Sequence, residues 1–359
     1  MSQSEKPKKN YGIKEIAEKA NVSIATVDRV IHKRGGVAKK TEELILKIIE
    51  EFDYQPNILA SRLRSNKTYH LAVLIPRVSP NTDFWAAPLK GIEKARKEIS
   101  QFGVDIHTYF YALSDKNTFH EQAKKILKSD PDGVLIAPVF AREALEVGSA
   151  LTRAKIPVLF IDTEVDIAER LSYIGPDIYR SGHVGGQLAL YGIQNKPGNK
   201  EILVINYTST TDDSHHIKEI ERGFTDYVRD SDTPVPVHVL DFQGHDRRNL
   251  EDRLLSFLKE HPAVSAIFVT NSRVFRIAEV IRGTPYEEVI LIGFDYIEEN
   301  IKHLKENLID FLICHKPEEQ GYRGVMNLYQ HLLLMRKIEK VQYMPIDIIT
   351  RENYAYYSN

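Results

Sequence analysis

Cysteine is nearly absent: Cys314 is the single one in 359 residues. That excludes an internal disulfide framework and a cysteine-built zinc site, and it fits a reducing compartment. Long apolar runs are also missing. Nowhere do about 18 uncharged apolar residues follow one another, and Lys6, Lys8 and Lys9 are not followed by the apolar stretch of a signal peptide, so a cytoplasmic location without membrane contact is expected. There is no low-complexity tract and no short-period repeat. Catalytic signatures are lacking too: no GxSxG, Walker-A loop or HExxH occurs. Gly182-x-x-Gly185-Gly186 lies within an expected helix and reads as a packing surface rather than a dinucleotide loop. His215 and His216 are adjacent, which is the wrong spacing for two ligands on one helical face. Cys314 and His315 are strand neighbours that point to opposite sides. No catalytic residue, metal ligand or cofactor is therefore expected.

What the chain does have is enough apolar material, 42%, for two or three folded domains, and a lopsided charge. The net charge is −2, yet residues 1–67 hold 14 Lys and Arg against 9 Asp and Glu, while the remainder holds 34 against 41. A basic head on an acidic body suits a phosphate-binding module attached to something else. In the head, Ile13, Ile16, Ala17 and Ala20 repeat at helical spacing. Asn21 suits a left-handed C-cap and Ser23 an N-cap for a second helix carrying Val27, Val30 and Ile31, so the two form a helix-turn-helix. A third helix from about Thr41 to Phe52 places Leu44, Ile45, Ile48, Ile49 and Phe52 on a covering face. Pro56 breaks it, and Asn57 can cap a short stretch, Ile58 to Arg64, that mixes apolar and basic residues.

Beyond Tyr69 strand-like runs at 70–75, 104–110, 133–137, 157–161, 201–206, 235–240, 265–270, 289–293 and 309–313 alternate with helical segments, the pattern of parallel sheets in an α/β architecture. Nearly 290 residues are too many for one small sheet. Turn-rich 174–182 falls where one sheet could end and another begin.

The segment GIKEIAEKANVSIATVDRVIHKRGGVAKKTEELILKIIEEFDYQPNILASRLR, Gly12 to Arg64, resembles the DNA-binding head and hinge of the lactose-repressor (LacI/GalR) family. The body is similar to that family's effector domain, whose fold is shared with periplasmic ribose-binding proteins; the landmarks are Gly133 to Ile136, Pro157 to Asp162, Asn271 and Ile292-Gly293-Phe294-Asp295. The resemblance implies a small all-α helix-turn-helix head (1–55), a hinge helix and linker (56–67) and a two-lobed α/β, periplasmic-binding-protein-like domain with parallel sheets (68–359). Lobe one is expected over about 69–175 and 316–343, lobe two over 176–315 and 344–359.

In the head, Ile24, Ala25 and Arg29 are expected to face the major groove, with Arg29 reading guanine through its guanidinium. Ser23, Thr26, Lys33, Arg34 and Asn57 are candidate phosphate contacts. Ala60, Leu63 and Arg64 belong to the hinge, and the resemblance makes Leu63 a minor-groove wedge supplied by paired hinge helices, hence a homodimer on a near-palindromic operator. Asp28 stands where the family usually has serine; near phosphates its charge costs affinity unless it accepts from a cytosine amino group or pairs with a neighbouring Lys or Arg.

In the body, Asp162, Asn271 and Asp295 follow expected strands, at the carboxyl ends where a ligand binds in open α/β sheets. Their side chains suit adjacent hydroxyls, and Phe84, Trp85 and Phe242 could stack on a sugar's C–H face. His315 occupies a position where sugar-binding relatives commonly have glutamine. Two family arginines are replaced, by Thr163 and Ile220, and Arg77, His215, His216, Lys218 and Arg273 are candidate substitutes. The expected function is a transcription regulator whose operator affinity a sugar or sugar derivative controls. A solute-binding protein of a sugar uptake system, or a sugar-modifying enzyme with a DNA-binding appendage, are the alternatives.

Overall fold

A computed structural model describes residues 12–31, 34–52, 54, 67–79, 83–208, 214–244 and 247–357. The chain divides into two compact units, one of residues 1–68 with 329–337 and one of residues 69–328 with 338–359.

Among the described residues, the N-terminal part of the first unit holds three helices, α1 (Ile13–Ala20), α2 (Ile24–Ile31) and α3 (Lys39–Glu51). The Glu15 carboxylate accepts from the Gly12 amide at 2.8 Å to start α1, and Asn21 ends it in the left-handed region at φ 52°. Ser23 Oγ accepts from the Thr26 amide at 3.2 Å and so opens α2. Between the helices lie Ile16, Ala17, Ala20, Val27, Val30, Ile45 and Ile48, all buried. Helix α3 begins two residues before the expected Thr41, and its face is narrower than expected. Ile45 and Ile48 are buried, but Leu44 is 46% exposed because it precedes Ile45 by a single residue, about 100° around the helix.

The second unit is built on two six-stranded sheets. The first, in the order β11-β5-β4-β3-β1-β2, comprises β1 (Tyr69–Pro76), β2 (Val104–Tyr111), β3 (Gly133–Ile136), β4 (Val158–Ile161), β5 (Ser172–Gly175) and β11 (Val341–Tyr343). The second, β12-β10-β9-β8-β6-β7, comprises β6 (Glu201–Thr208), β7 (Val237–Gln243), β8 (Val264–Val269), β9 (Ile290–Phe294), β10 (Phe311–Cys314) and β12 (Asp347–Ile349). All pairs are parallel except β10 with β12. The continuous apolar runs explain this: Leu71 to Ile75 and Ile202 to Ile205 are each buried, as strands covered on both faces require. In both sheets the chain reverses its strand order beside the first strand, which opens a crevice at the carboxyl ends.

The connecting helices are α4 (Ala86–Ile99), α5 (Lys116–Ser129), α6 (Ala141–Arg153), α7 (Ile178–Ile193), α8 (Ser214–Arg229), α9 (Arg247–Glu260), α10 (Val274–Ile281), α11 (Glu298–Lys305) and α12 (Pro317–Leu334). The chain passes between sheets after Gly175, after Cys314 and after Tyr343. The turn-rich 174–182 is the first passage, where Asp177 caps α7 by accepting from the Arg180 amide at 2.9 Å. The glycines of α7 do pack: a Cβ on Gly182 would stand 2.2 Å from the Ile220 carbonyl, and one on Gly223 of α8 would stand 2.1 Å from that of Tyr179. Strand β7 starts at Val237 rather than at the expected 235, because Pro236 cannot donate to a ladder and only its carbonyl pairs, with the Ile202 amide. Strands β5 (SYIG), β11 (VQY) and β12 (DII) were not expected, because none carries the continuous apolar run that marks β3 and β4.

Candidate functional site

The head presents one face of α2. Ser23, Ile24, Ala25 and Arg29 are exposed, Ile24 to 44%, while Val27 and Val30 one face away are buried. Thr26 is half-buried, its hydroxyl 2.9 Å from that of Ser23. An exposed isoleucine and alanine beside a solvent-facing guanidinium can offer apolar contact and a bidentate donor pair to base edges. Arg34, a candidate phosphate contact, donates to Asp28 Oδ2 at 3.0 Å. This pair supplies the cation that Asp28 needs. Lys33, Asn57, Ala60, Leu63 and Arg64, and with them the whole hinge stretch, lie outside the described residues.

The body carries a cavity of about 850 Å³ between its two sheets. Phe84, Trp85, Asp162, Asn271, Asp295 and His315 all line it. Asp162 leaves β4 and Asp295 leaves β9, the fourth strand of each sheet's run, and the two are built alike. Each stands in the left-handed region, at φ 69° and 73°, and each donates its amide to the neighbouring strand, to Ile174 O at 3.2 Å and to Ile313 O at 3.0 Å. This backbone bends both carboxyls into the cavity, one from each lobe.

Protein surrounds these carboxyls on every side but the cavity, and burial sets their chemistry. Burial, with Asp162 opposite, pushes Asp295 up to about 8. Burial also raises Asp162, against the opposing pull of His216 and of the Thr163 hydroxyl, which donates to it at 3.3 Å. His315 is driven the other way, down to about 3, by burial and by His216. Its neutral imidazole meets Ser181 Oγ at 2.9 Å through Nε2. At neutral pH the cavity thus presents one protonated carboxyl and one neutral imidazole, groups able to donate as well as accept.

The aromatic wall comes from Phe84 and Trp85, set edge to face with centroids 4.9 Å apart. Phe242 is a correction. It is 2% exposed, does not line the cavity and stacks on Tyr207, its register partner across β6 and β7. Its position near a strand end suggested the cleft, but side-chain alternation turns it into the core of the second lobe. Asn271 lines the cavity while holding its own loop, donating to Tyr207 O and accepting from the Arg273 amide at 3.1 Å.

Of the substitutes considered for the missing arginines, His216 and Arg273 reach the cavity. Arg273 Nη1 also donates to Tyr207 O at 3.0 Å. Thr163 and Ile220 line the cavity in the arginines' stead. Lys218 pairs instead with Glu221 at 2.7 Å and Asp241 at 3.5 Å, and Arg77 is exposed and not in the lining. The side chain of His215 lies outside the described residues.

Sequence reasoning missed two residues that hold the site together. Gln320 of α12, 1% exposed, accepts from the Asp162 amide at 3.0 Å and donates to the His315 carbonyl at 2.8 Å, so one side chain ties a cavity loop to an inter-lobe passage. The Tyr173 hydroxyl shares its proton between the carbonyls of Asp162, at 3.0 Å, and Pro176, at 2.8 Å. Neither has a local signature, since the partners of Gln320 and Tyr173 come from distant segments or from a loop whose shape the fold decides.

A helix-turn-helix with an exposed recognition face, in one chain with a two-lobed binding domain, defines a ligand-responsive DNA-binding regulator. The chain belongs to the family of the periplasmic binding protein domain, whose model matches residues 72–334, and its head matches the model of the lacI family of bacterial regulatory proteins over residues 12–57. It is 28% identical over 294 residues to the NTD biosynthesis operon regulator NtdR of Bacillus subtilis, covering 79% of this chain and 82% of the relative. It is 24% identical over 295 residues to the ribose operon repressor of Halalkalibacterium halodurans, covering 79% and 80%. The crystal structure of a Bacteroides fragilis protein assigned as a LacI transcriptional regulator superposes with a TM-score of 0.74 at 29% identity, covering 81% of this chain and all of that one. Among the described residues no helix is long and apolar enough to cross a membrane.

Proposed function

We propose that this protein binds a near-palindromic operator as a homodimer in the cytoplasm and releases or engages it when a hydroxyl-rich small molecule, a sugar or sugar derivative, occupies the cavity between the lobes. The observation that carries this reading is the pair of matched aspartates, Asp162 and Asp295, bent into one cavity by equivalent strand ends of the two lobes. A ligand held by both must bridge the lobes, and a bridging ligand favours one inter-lobe angle over others. Phe84 and Trp85 supply a face for C–H groups, and the carboxyls, His315 and Thr163 supply hydrogen bonds for hydroxyls. The ribose operon repressor among the relatives supports the same ligand class.

Arg29, Ile24 and Ala25 read bases in this scheme, Ser23 and Thr26 hold phosphates, and Leu63 acts as the hinge wedge that the family resemblance implies. The role is one of binding: no catalytic constellation is needed for a switch that works through differential affinity.

The test is a thermal-shift screen of monosaccharides, disaccharides, sugar acids and sugar phosphates, followed by operator titration with each hit. A ligand at 100 times its dissociation constant stabilises the native state by about 2.7 kcal/mol. The expected result is a hit that shifts the wild type, fails to shift Asp295→Ala and changes operator affinity in the wild type alone. A hit that shifts Asp295→Ala equally would place the effector elsewhere.

A further inference from the structure

We propose that Glu201, His238 and His261 form a binding site for a divalent transition ion of the zinc class, at the end of the second lobe remote from the cavity. Glu201 opens β6, His238 lies in the adjacent strand β7 in register with Leu203, and His261 follows the last turn of α9. Glu201 Oε2 stands 2.9 Å from His238 Nε2 and 3.1 Å from His261 Nδ1, and the three candidate ligand atoms all lie within 4.8 Å of one another. Zinc bonds to imidazole nitrogen and carboxylate oxygen of about 2.0–2.1 Å make the edge of a tetrahedral site about 3.3 Å. Both nitrogen-to-oxygen distances are within about half an ångström of that edge, so an ion enters by small adjustments of three side-chain ends.

The site is held in shape before any ion arrives. The ring of Phe257 stacks on His261 with centroids 4.3 Å apart and a 20° tilt, and meets His238 edge-on at 5.5 Å. Backbone bonds fix the carrying segments: the Glu201 amide donates to Ala263 O at 2.9 Å and the His261 amide to Phe257 O at 2.9 Å. The three side chains are between 24% and 31% exposed, enough for an ion to enter from solvent. Two imidazoles and one carboxylate match the borderline character of Zn²⁺, with one coordination position left for water. The rise along β6 separates Glu201 from the cavity end of that strand by about 20 Å. The site is therefore independent of the effector reading. Its consequence is to fasten the edge strand β7 and the end of α9 to β6.

The test titrates the untagged, chelator-stripped full chain with Co²⁺ and follows visible absorption, then displaces Co²⁺ with Zn²⁺. One tetrahedral Co²⁺ per chain is expected, with affinity falling at least about tenfold in His238→Gln and in Glu201→Gln. Zn²⁺ should raise the thermal midpoint of the wild type and leave that of His238→Gln unmoved. Far-UV circular dichroism checks the fold of each variant, and His261→Gln, beyond the last helical turn, is the second variant if His238→Gln unfolds. Asp295→Ala should bind Co²⁺ as the wild type does. No tetrahedral signal up to 100 µM Co²⁺, or an undiminished signal in the folded variants, would overturn the proposal.

Discussion

At the scale of single residues, the cavity keeps Asp295 neutral at a pH where a carboxyl in water is ionised, and keeps His315 neutral at a pH where an imidazole in water is protonated. The fold favours the neutral form of Asp295, whose pKa rises from 3.8 to about 8. Its contribution to stability is therefore complete below about pH 4 and is lost as pH rises through 8. The fold favours neutral His315 as well, but here the pKa is lowered from 6.5 to about 3, so that contribution is complete above about pH 6.5 and is lost as pH falls towards 3. Between pH 6.5 and 8 Asp295 alone of the two changes. The thermal midpoint of the ligand-free protein is expected to fall across that window, and Asp295→Asn, which cannot ionise, should flatten the fall. Scans at pH 6.5, 7.5 and 8.5 measure it; an identical decline in the variant would show that another group governs the window. In the head, Arg29→Ala should weaken discrimination at one base pair per half-site by about 1–3 kcal/mol, read by titrating single-base operator variants. The pairing of Arg34 with Asp28 means that Arg34→Ala should also expose Asp28 to the DNA phosphates and weaken all duplexes alike.

At the scale of elements, two contacts decide how the parts hold their ligands. Helix α2 can present Ile24, Ala25 and Arg29 because Val27 and Val30 anchor it on α1 and α3. Helices α7 and α8 approach backbone to backbone at Gly182 and Gly223, which lie directly opposite the carbonyls of Ile220 and Tyr179. Any side chain there must push the helices apart, so Gly182→Val is expected to cost about 1–3 kcal/mol in urea denaturation. Helix α8 also carries His216 and Ile220 into the cavity, so the same variant should weaken effector binding even where it folds. Unchanged stability would mean the helices can separate without loss. Strand and helix identities were legible because period and caps are local: Asn21 and Ser23 each perform the capping role their chemistry suggests. Strands β5, β11 and β12 were not, since segments of three or four residues without a continuous apolar run show no local sign of the neighbour they pair with.

At the scale of the whole molecule, the expected behaviour is that of a salt-sensitive, two-headed DNA binder whose affinity answers to the cavity in the body. Each head carries the basic excess of residues 1–67, and each neutralised phosphate adds about −0.9 to the slope of log affinity against log salt. Two heads contacting several phosphates each should give a steep slope, and sedimentation should show a dimer at operator-binding concentrations. A monomer binding at full affinity, or a slope near −1, would remove the two-headed reading.

What the sequence by itself determined are the features that depend on residues within a turn or two of one another. These are the three-helix head, the exposed Ile24-Ala25 and Arg29 face, the alternation of parallel strands with helices, and the polar residues Asp162, Asn271 and Asp295 at strand ends. Tertiary structure alone decided which strand-end residues face each other. It brought Asp162 to Asp295 across 133 positions, placed Gln320 between Asp162 and His315, drew Glu201, His238 and His261 together, and turned Phe242 away into the core. The physical reason is that a parallel sheet sends every connection over its face before the next strand. Residues that meet at one end of the sheet are therefore separated by whole helices in the chain, and no local pattern records the meeting.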